Sequence, residues 1–200
     1  MKSDLRWMHA VIARHAHEGA VLRERYFSAA AGDVAQAAAA LAAILAGGGK
    51  VLVCGNGGSA ADAQHLAAEL VNRFRMDRPA LPALALTVDT SVLTAVANDV
   101  AFEAVFARQV EALGQPGDML VAISTSGRSP NVLAALRAAR ARGMSCLGLC
   151  GVDTQHMGPL CRHLLAVPHE STPLVQEVHI TLIHMLCELV EQALFSQSAP

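Results

Sequence analysis

Charge is scarce in this chain. Asp, Glu, Lys and Arg make up 16% of its 200 residues against 53% apolar, and the net charge is −2. With 15 Lys plus Arg there is no electrostatic footprint for nucleic acid, whose phosphates call for a dense patch of cations. No uninterrupted apolar run approaches the roughly 20 residues that cross a bilayer, so no membrane partner is expected. The surplus apolar surface must then be buried in the core or between subunits. No CxxC pair occurs among Cys54, Cys146, Cys150, Cys161 and Cys187, and their odd number fits a reducing compartment better than a disulfide framework. The opening MKSDLRWMHAV carries Asp4 and Arg6 where a secretory signal would be apolar, and no A-x-A-like cleavage site follows. A cytoplasmic location is expected. Also missing is the P-loop Lys after the glycines of GNGGSA and STSGRS, and GNGGSA does not fit GxGxxG, which disfavours nucleoside triphosphate chemistry.

What is present has a clear rhythm. Residues 4–30 and 33–46 read as two helices, the second Ala-rich and stopped by GGG. After GGGK come short apolar runs in KVLVCG, LPALALTVD, DMLVAIST, MSCLGLCG and HLLAVPH, the first four each followed by a helical pattern. Continuous apolar strands alternating with helices predict a parallel sheet covered on both faces. Residues 172–195 read as a long amphipathic helix with Pro173 in its first turn. One α/β/α domain spanning 1–200 is expected, with extra helices at both ends and no linker dividing it.

Two strand–loop–helix units carry the chemistry. In VLVCGNGGSAADAQ, Gly55, Gly57 and Gly58 permit a sharp turn and close backbone approach, and Ser59 with Asp62 reads as a capping pair. In LVAISTSGRSPNVLAAL, Ser124, Thr125, Ser126 and Ser129 surround Gly127 just ahead of a helix beginning near Pro130. Four hydroxyls and free N–H groups at the positive end of a helix suit the phosphate of a small metabolite.

Beyond the first loop, His65 and Glu69 stand one helical turn apart, and Arg73 continues the line. That spacing suits a metal, a proton transfer or a surface ion pair. QEVHITLIHMLCELVEQ places Gln176, His179 and His184 on the last helix among apolar residues, where polar groups need partners and can find those of the first cluster.

CGNGGSAADAQHLAAEL, ANDVAF, STSGRSPNVLAAL and QEVHITLIH together resemble the sugar isomerase (SIS) domain, and within it the phosphoheptose isomerases, from about Gly47 to Phe195. The resemblance implies a flavodoxin-like three-layer α/β/α sandwich and a homotetramer with active sites between subunits; residues 1–46 match the family only in general character, and their Ala-rich helices are expected to serve in oligomerisation. It further implies conversion of sedoheptulose 7-phosphate to D-glycero-D-manno-heptose 7-phosphate, the first step towards ADP-heptose and the lipopolysaccharide core. The family's substrate loop falls on Asn56, Gly57 and Gly58, its phosphate cradle on Ser124, Thr125, Ser126 and Ser129, and its Asn-Asp pair on Asn98 and Asp99. Its metal-binding and catalytic positions fall on His65, Glu69, Gln176 and His184, with Arg73 near the catalytic carboxylate. Some members carry an acidic residue three positions ahead of the glutamine, where this chain has Pro173.

Moving a carbonyl between C2 and C1 through a cis-enediol needs proton-transfer groups on either side of the enediol. The resemblance assigns Glu69 as the base between C1 and C2 and His184 as the shuttle for the hydroxyl proton. A zinc ion on His65, Glu69, Gln176 and His184 would polarise the carbonyl. Gln176 and His184 are eight residues apart, about 12 Å along a continuous helix. Two other readings share the fold: a non-catalytic protein that binds the replication initiator, and a regulatory module that binds a sugar phosphate. The first lacks the carboxylate and histidine found here at Glu69 and His184.

Overall fold

The computed structural model describes residues 5–196, so the reading of Asp4 lies outside the described residues. Five parallel strands, β1 (Val51–Gly55), β2 (Ala83–Ala85), β3 (Met119–Ser124), β4 (Ser145–Cys150) and β5 (His163–Ala166), form one sheet in the order β2-β1-β3-β4-β5. Each expected apolar run contributes its strand. The runs are continuous because the sheet is covered twice, so successive side chains enter different cores. Val51, Val53, Val121, Ile123, Leu147 and Leu149 point into one, and Leu52, Cys54, Leu120 and Ala122 into the other.

The first core is closed by α1 (Arg6–Ala46), α2 (Gly58–Val71) and α6 (Thr172–Phe195), with Leu41, Leu66, Leu70, Leu182 and Leu186 fully or almost fully buried. The second is closed by α5 (Pro130–Ala141) and the shorter α3 (Thr90–Asp99) and α4 (Ala107–Leu113). Together these are the three layers expected.

Two expectations about helices are corrected. β4 is followed by no crossover helix, only a 3-10 turn at Gly158–Leu160. Gly151, Gly158 and Pro159 break up the connection. At the other end, the two predicted N-terminal helices are a single 41-residue helix running straight through Gly32. One glycine costs a helix only about 1 kcal/mol relative to alanine, and here Tyr26, Val34, Ala37, Ala38 and Leu41 are anchored in the core on either side of it. A Cβ at Gly32 would meet nothing within 4 Å. Gly32→Ala is therefore expected to raise stability by roughly 0.5–1 kcal/mol, read as a higher urea midpoint; a lower midpoint would show that Gly32 is needed for something other than helix continuity.

By length and composition alone, α1 and α6 are each apolar enough to cross a membrane. For α6 the apolar side is accounted for inside the fold: Val175, Val178, Leu182, Ile183, Leu186 and Val190 are core residues. The second half of α1 is core as well, whereas its described N-terminal part, from residue 5 to 18, is exposed and includes Trp7, Met8, Val11 and Ile12.

Candidate active site

In a sheet of this order the strand order reverses between β1 and β3, and the crevice beyond their carboxyl ends is where ligands settle in open α/β folds. The loops leaving these two strands are the two motif units singled out above. After β1, Gly57 adopts φ +56°, a conformation open to glycine, and α2 starts at once with Gly58. That early start overturns the expected Ser59–Asp62 cap. Both residues are buried inside the first turns of α2, which has no side-chain cap, and Oδ2 of Asp62 has no hydrogen-bond partner. Burial pushes the Asp62 carboxyl up to about 6, with His65 pulling the other way.

After β3, Gly127 turns the chain with φ +66° and Ser129 leads into α5. The Ser124 hydroxyl lies 2.9 Å from that of Ser129 and 3.4 Å from that of Ser126, which also accepts the Arg128 N–H at 3.2 Å. Three of the four predicted cradle hydroxyls thus gather at the positive end of a twelve-residue helix. Thr125 stands beside them, its carbonyl accepting the Gly151 N–H at 3.1 Å. The two loops are joined by a contact that the sequence did not announce. Asn56 donates to Oδ1 of Asn131 at 2.8 Å and Asn131 donates back to Oδ1 of Asn56 at 2.9 Å. Asn131 is buried at the first turn of α5, 75 positions away, and the only signal for it is its place directly after the cradle.

α2 and α6 lie against one another and align the remaining groups. Near the start of α2 the Gln176 amide packs on Gly58, in the space a side chain there would fill. Seven residues further along α2, Nε2 of His65 lies 3.0 Å from Nε2 of His184, one imidazole donating to the other, and 3.4 Å from Oε1 of Glu69. The 12 Å that separates Gln176 from His184 along α6 is thus matched by the distance from Gly58 to His65 along α2, about 10.5 Å. Side-chain exposures of 39% for His65 and 25% for Glu69 leave one flank of the cluster open. Phe74 stacks on His184, ring centroids 5.6 Å apart.

Not every predicted residue joins the cluster. α2 ends at Val71, so Arg73 falls off the line of His65 and Glu69; it is exposed and 3.6 Å from Asp77. Asn98 and Asp99 are exposed at the end of α3 and hydrogen-bond to each other at 2.8 Å. His179 is fully buried, its Nε2–H donating to the Cys150 carbonyl at 3.1 Å. Of the five thiols, four are buried and none is in a disulfide. Burial pushes Cys146 and Cys150 up to about 11, far from thiolate chemistry at neutral pH.

Among the described residues no group of three or more His, Cys, Asp or Glu side chains closes on a single point. What one chain does supply is a pair of imidazole nitrogens 3.0 Å apart with a carboxylate beside them. Two nitrogens bound to one tetrahedral zinc sit about 3.3 Å apart, from Zn–N lengths near 2.05 Å, so the donor chemistry of the pair suits that ion.

The SIS domain profile matches residues 14–151, starting inside α1 and hence well upstream of Gly47. A phosphoheptose isomerase of Nitratidesulfovibrio vulgaris is 60% identical over 185 residues, covering 92% of this chain and 89% of the relative. Among solved structures, a phosphoheptose isomerase from Neisseria gonorrhoeae superposes with a TM-score of 0.87 at 42% identity, over 92% of this chain and 99% of that one. Another from Francisella tularensis gives 0.89 at 38% identity, over 92% and 98%. With the same fold, a profile match that spans both site loops and identity of this order, the chain belongs to the SIS-domain family, in its phosphoheptose isomerase branch.

Proposed function

We propose that the protein is an aldose–ketose isomerase that converts sedoheptulose 7-phosphate to D-glycero-D-manno-heptose 7-phosphate. The observation that carries this reading is the convergence of Glu69 and His184 from two different helices onto His65, in a fold that also gathers a hydroxyl cradle in the loop after β3 at the switch point of the sheet. The phosphate sits on Ser124, Ser126 and Ser129, with Thr125 beside them, and its binding energy orients the sugar towards the Asn56–Gly58 loop and the cluster. Gln176, whose amide packs against Gly58, hydrogen-bonds a sugar oxygen there.

Glu69 removes a proton from C1 while His184 gives one to the C2 oxygen, leaving a cis-enediol with its double bond between C1 and C2. His184 then takes the proton from the C1 hydroxyl as the carbonyl forms there, and Glu69 returns its proton to C2. Each group ends as it began, so no co-substrate is consumed. A zinc ion would be held by His65, His184 and Glu69, with Gln176 as a further oxygen donor, and would supply Lewis-acid polarisation of the carbonyl. The family supports a homotetramer with shared sites, use of the product in ADP-heptose and lipopolysaccharide core synthesis, and a role for Asn98 and Asp99 in holding sugar hydroxyls. The exposed apolar start of α1 suits the tetramer, and the five free thiols suit the cytoplasm.

The direct test is conversion of sedoheptulose 7-phosphate by the purified protein before and after chelation, alongside metal analysis. Turnover with about one zinc per chain, lost on chelation, is the expected result. Retained sugar-phosphate binding without turnover under any divalent metal would instead favour a binding or regulatory protein. For assembly, the Trp7→Glu and Ile12→Glu pair tests the exposed part of α1 better than removal of residues 1–46, since Val34–Leu45 includes core. Light scattering should show smaller particles; unchanged tetramers would remove that segment from the interface.

A further inference from the structure

Glu69 lies in the last turn of α2, where the helix leaves its carbonyls without partners of its own. Arg78 occupies that end. Its Nη2 donates to the Glu69 carbonyl at 2.8 Å, and its Nη1 to the carbonyls of Leu70 at 2.7 Å, Pro79 at 3.0 Å and Asn72 at 3.4 Å. On α6, Glu191 accepts from Nε of Arg78 at 3.0 Å and from the backbone N–H groups of Phe74 at 2.8 Å and of Arg75 and Met76 at 2.9 Å. The two side chains are 1% and 2% exposed. The segment they fasten is the one that lays the Phe74 ring on His184, with 23° between the ring planes.

We propose that the Arg78–Glu191 pair is the positioning device of the active site, holding Glu69 by its main chain and His184 through the ring of Phe74. This rests on Glu69 and His184 being the proton-transfer pair. A buried ion pair is often no more stabilising than apolar side chains of the same volume. A guanidinium, however, can address several carbonyls at a helix end and a carboxylate at once, which no apolar side chain can do. One buried pair thereby ties the end of α2 to α6 and sets the separation of groups that sit on different helices. Proton transfer is sensitive to displacements of about 1 Å, so its geometry is where loss of the pair should be felt. The phosphate cradle, on β3 and α5, is not touched by it.

The test compares Phe74→Leu, Phe74→Tyr and Arg78→Lys in the full chain by steady-state kinetics and by calorimetric binding of sedoheptulose 7-phosphate. Phe74→Leu should lower kcat about tenfold or more, with KM within about twofold and the number of substrate sites per chain unchanged. Phe74→Tyr, which keeps the ring, should recover most of the loss. Arg78→Lys, whose ammonium cannot replace the fork, should lose more, again per binding-competent site. A merely structural role predicts losses that track the number of substrate sites. That outcome, wild-type kcat in Phe74→Leu, or a Phe74→Tyr as slow as Phe74→Leu would each overturn the proposal. Wild-type protein that binds substrate without turning it over would instead remove the underlying isomerase reading, and the proposal with it.

Discussion

Glu69→Gln and His184→Gln are each expected to lower kcat by roughly 10²–10⁴-fold, the range contributed by a positioned acid or base, while sedoheptulose 7-phosphate still binds. The separation follows from the architecture. Glu69 and His184 lie along the α2–α6 contact, whereas the hydroxyls of the proposed phosphate cradle lie at the start of α5. The glutamine substitutions keep size and hydrogen bonding but remove a group that can exchange a proton. Because the proposed mechanism joins the two in one proton relay, the double variant should be little slower than the worse single one. Calorimetry with the substrate checks binding and a coupled assay checks turnover. Loss of binding in step with loss of turnover would place these residues in substrate recognition and leave the proton transfers to other groups.

A second large effect is expected on stability in acid. His179 is fully enclosed, and burial pushes its imidazole down to about 4 from an ordinary 6.5, against the raising effect of its hydrogen bond to the Cys150 carbonyl. Between those values the unfolded chain binds a proton that the folded chain refuses, so stability is lost as the pH falls from 6.5 towards 4, by about 3 kcal/mol from this group. Asp62 acts in the opposite sense. Its carboxyl, raised by burial from 3.8 to about 6, takes up a proton in the folded chain first, so its contribution is present in acid and lost as the pH rises through that window. The two partly cancel in the native protein. Urea unfolding at pH 7.5 and 4.5 should show His179→Gln losing about 3 kcal/mol less on acidification than the parent, and Asp62→Asn losing more. Parallel losses in parent and His179→Gln would mean that the imidazole is protonated, and paired, within the fold.

Much of this protein is readable in one dimension. The five apolar runs are strands because each must be covered on both sides, and the cradle is legible because Ser124, Ser126 and Ser129 are close in sequence and their loop runs directly into α5. His65 and Glu69 are legible together because a helical turn brings them to one face. Arg73 was misplaced by extending the same turn: the helix stops at Val71, where Arg78 caps it. Ser59 and Asp62 were misread because an early helix start at Gly58 turns a capping spacing into an interior one. The continuous α1 was missed because local propensity at Gly32 is outweighed by packing on both sides of it.

The alternation of strand and helix, the two motif-bearing loops and the acid–base candidates are legible in the sequence, since each depends on neighbours within a few residues. Only the tertiary structure decided that His184 meets His65 across 119 positions, that Asn56 and Asn131 join the two loops, and that Arg78 and Glu191 fasten the end of α2 to α6. It also decided that His179, on the same helix as His184, is core. The physical reason is common to all four: they depend on how helices and loops distant in sequence pack around one sheet, and local periodicity carries no information about which residue lies opposite.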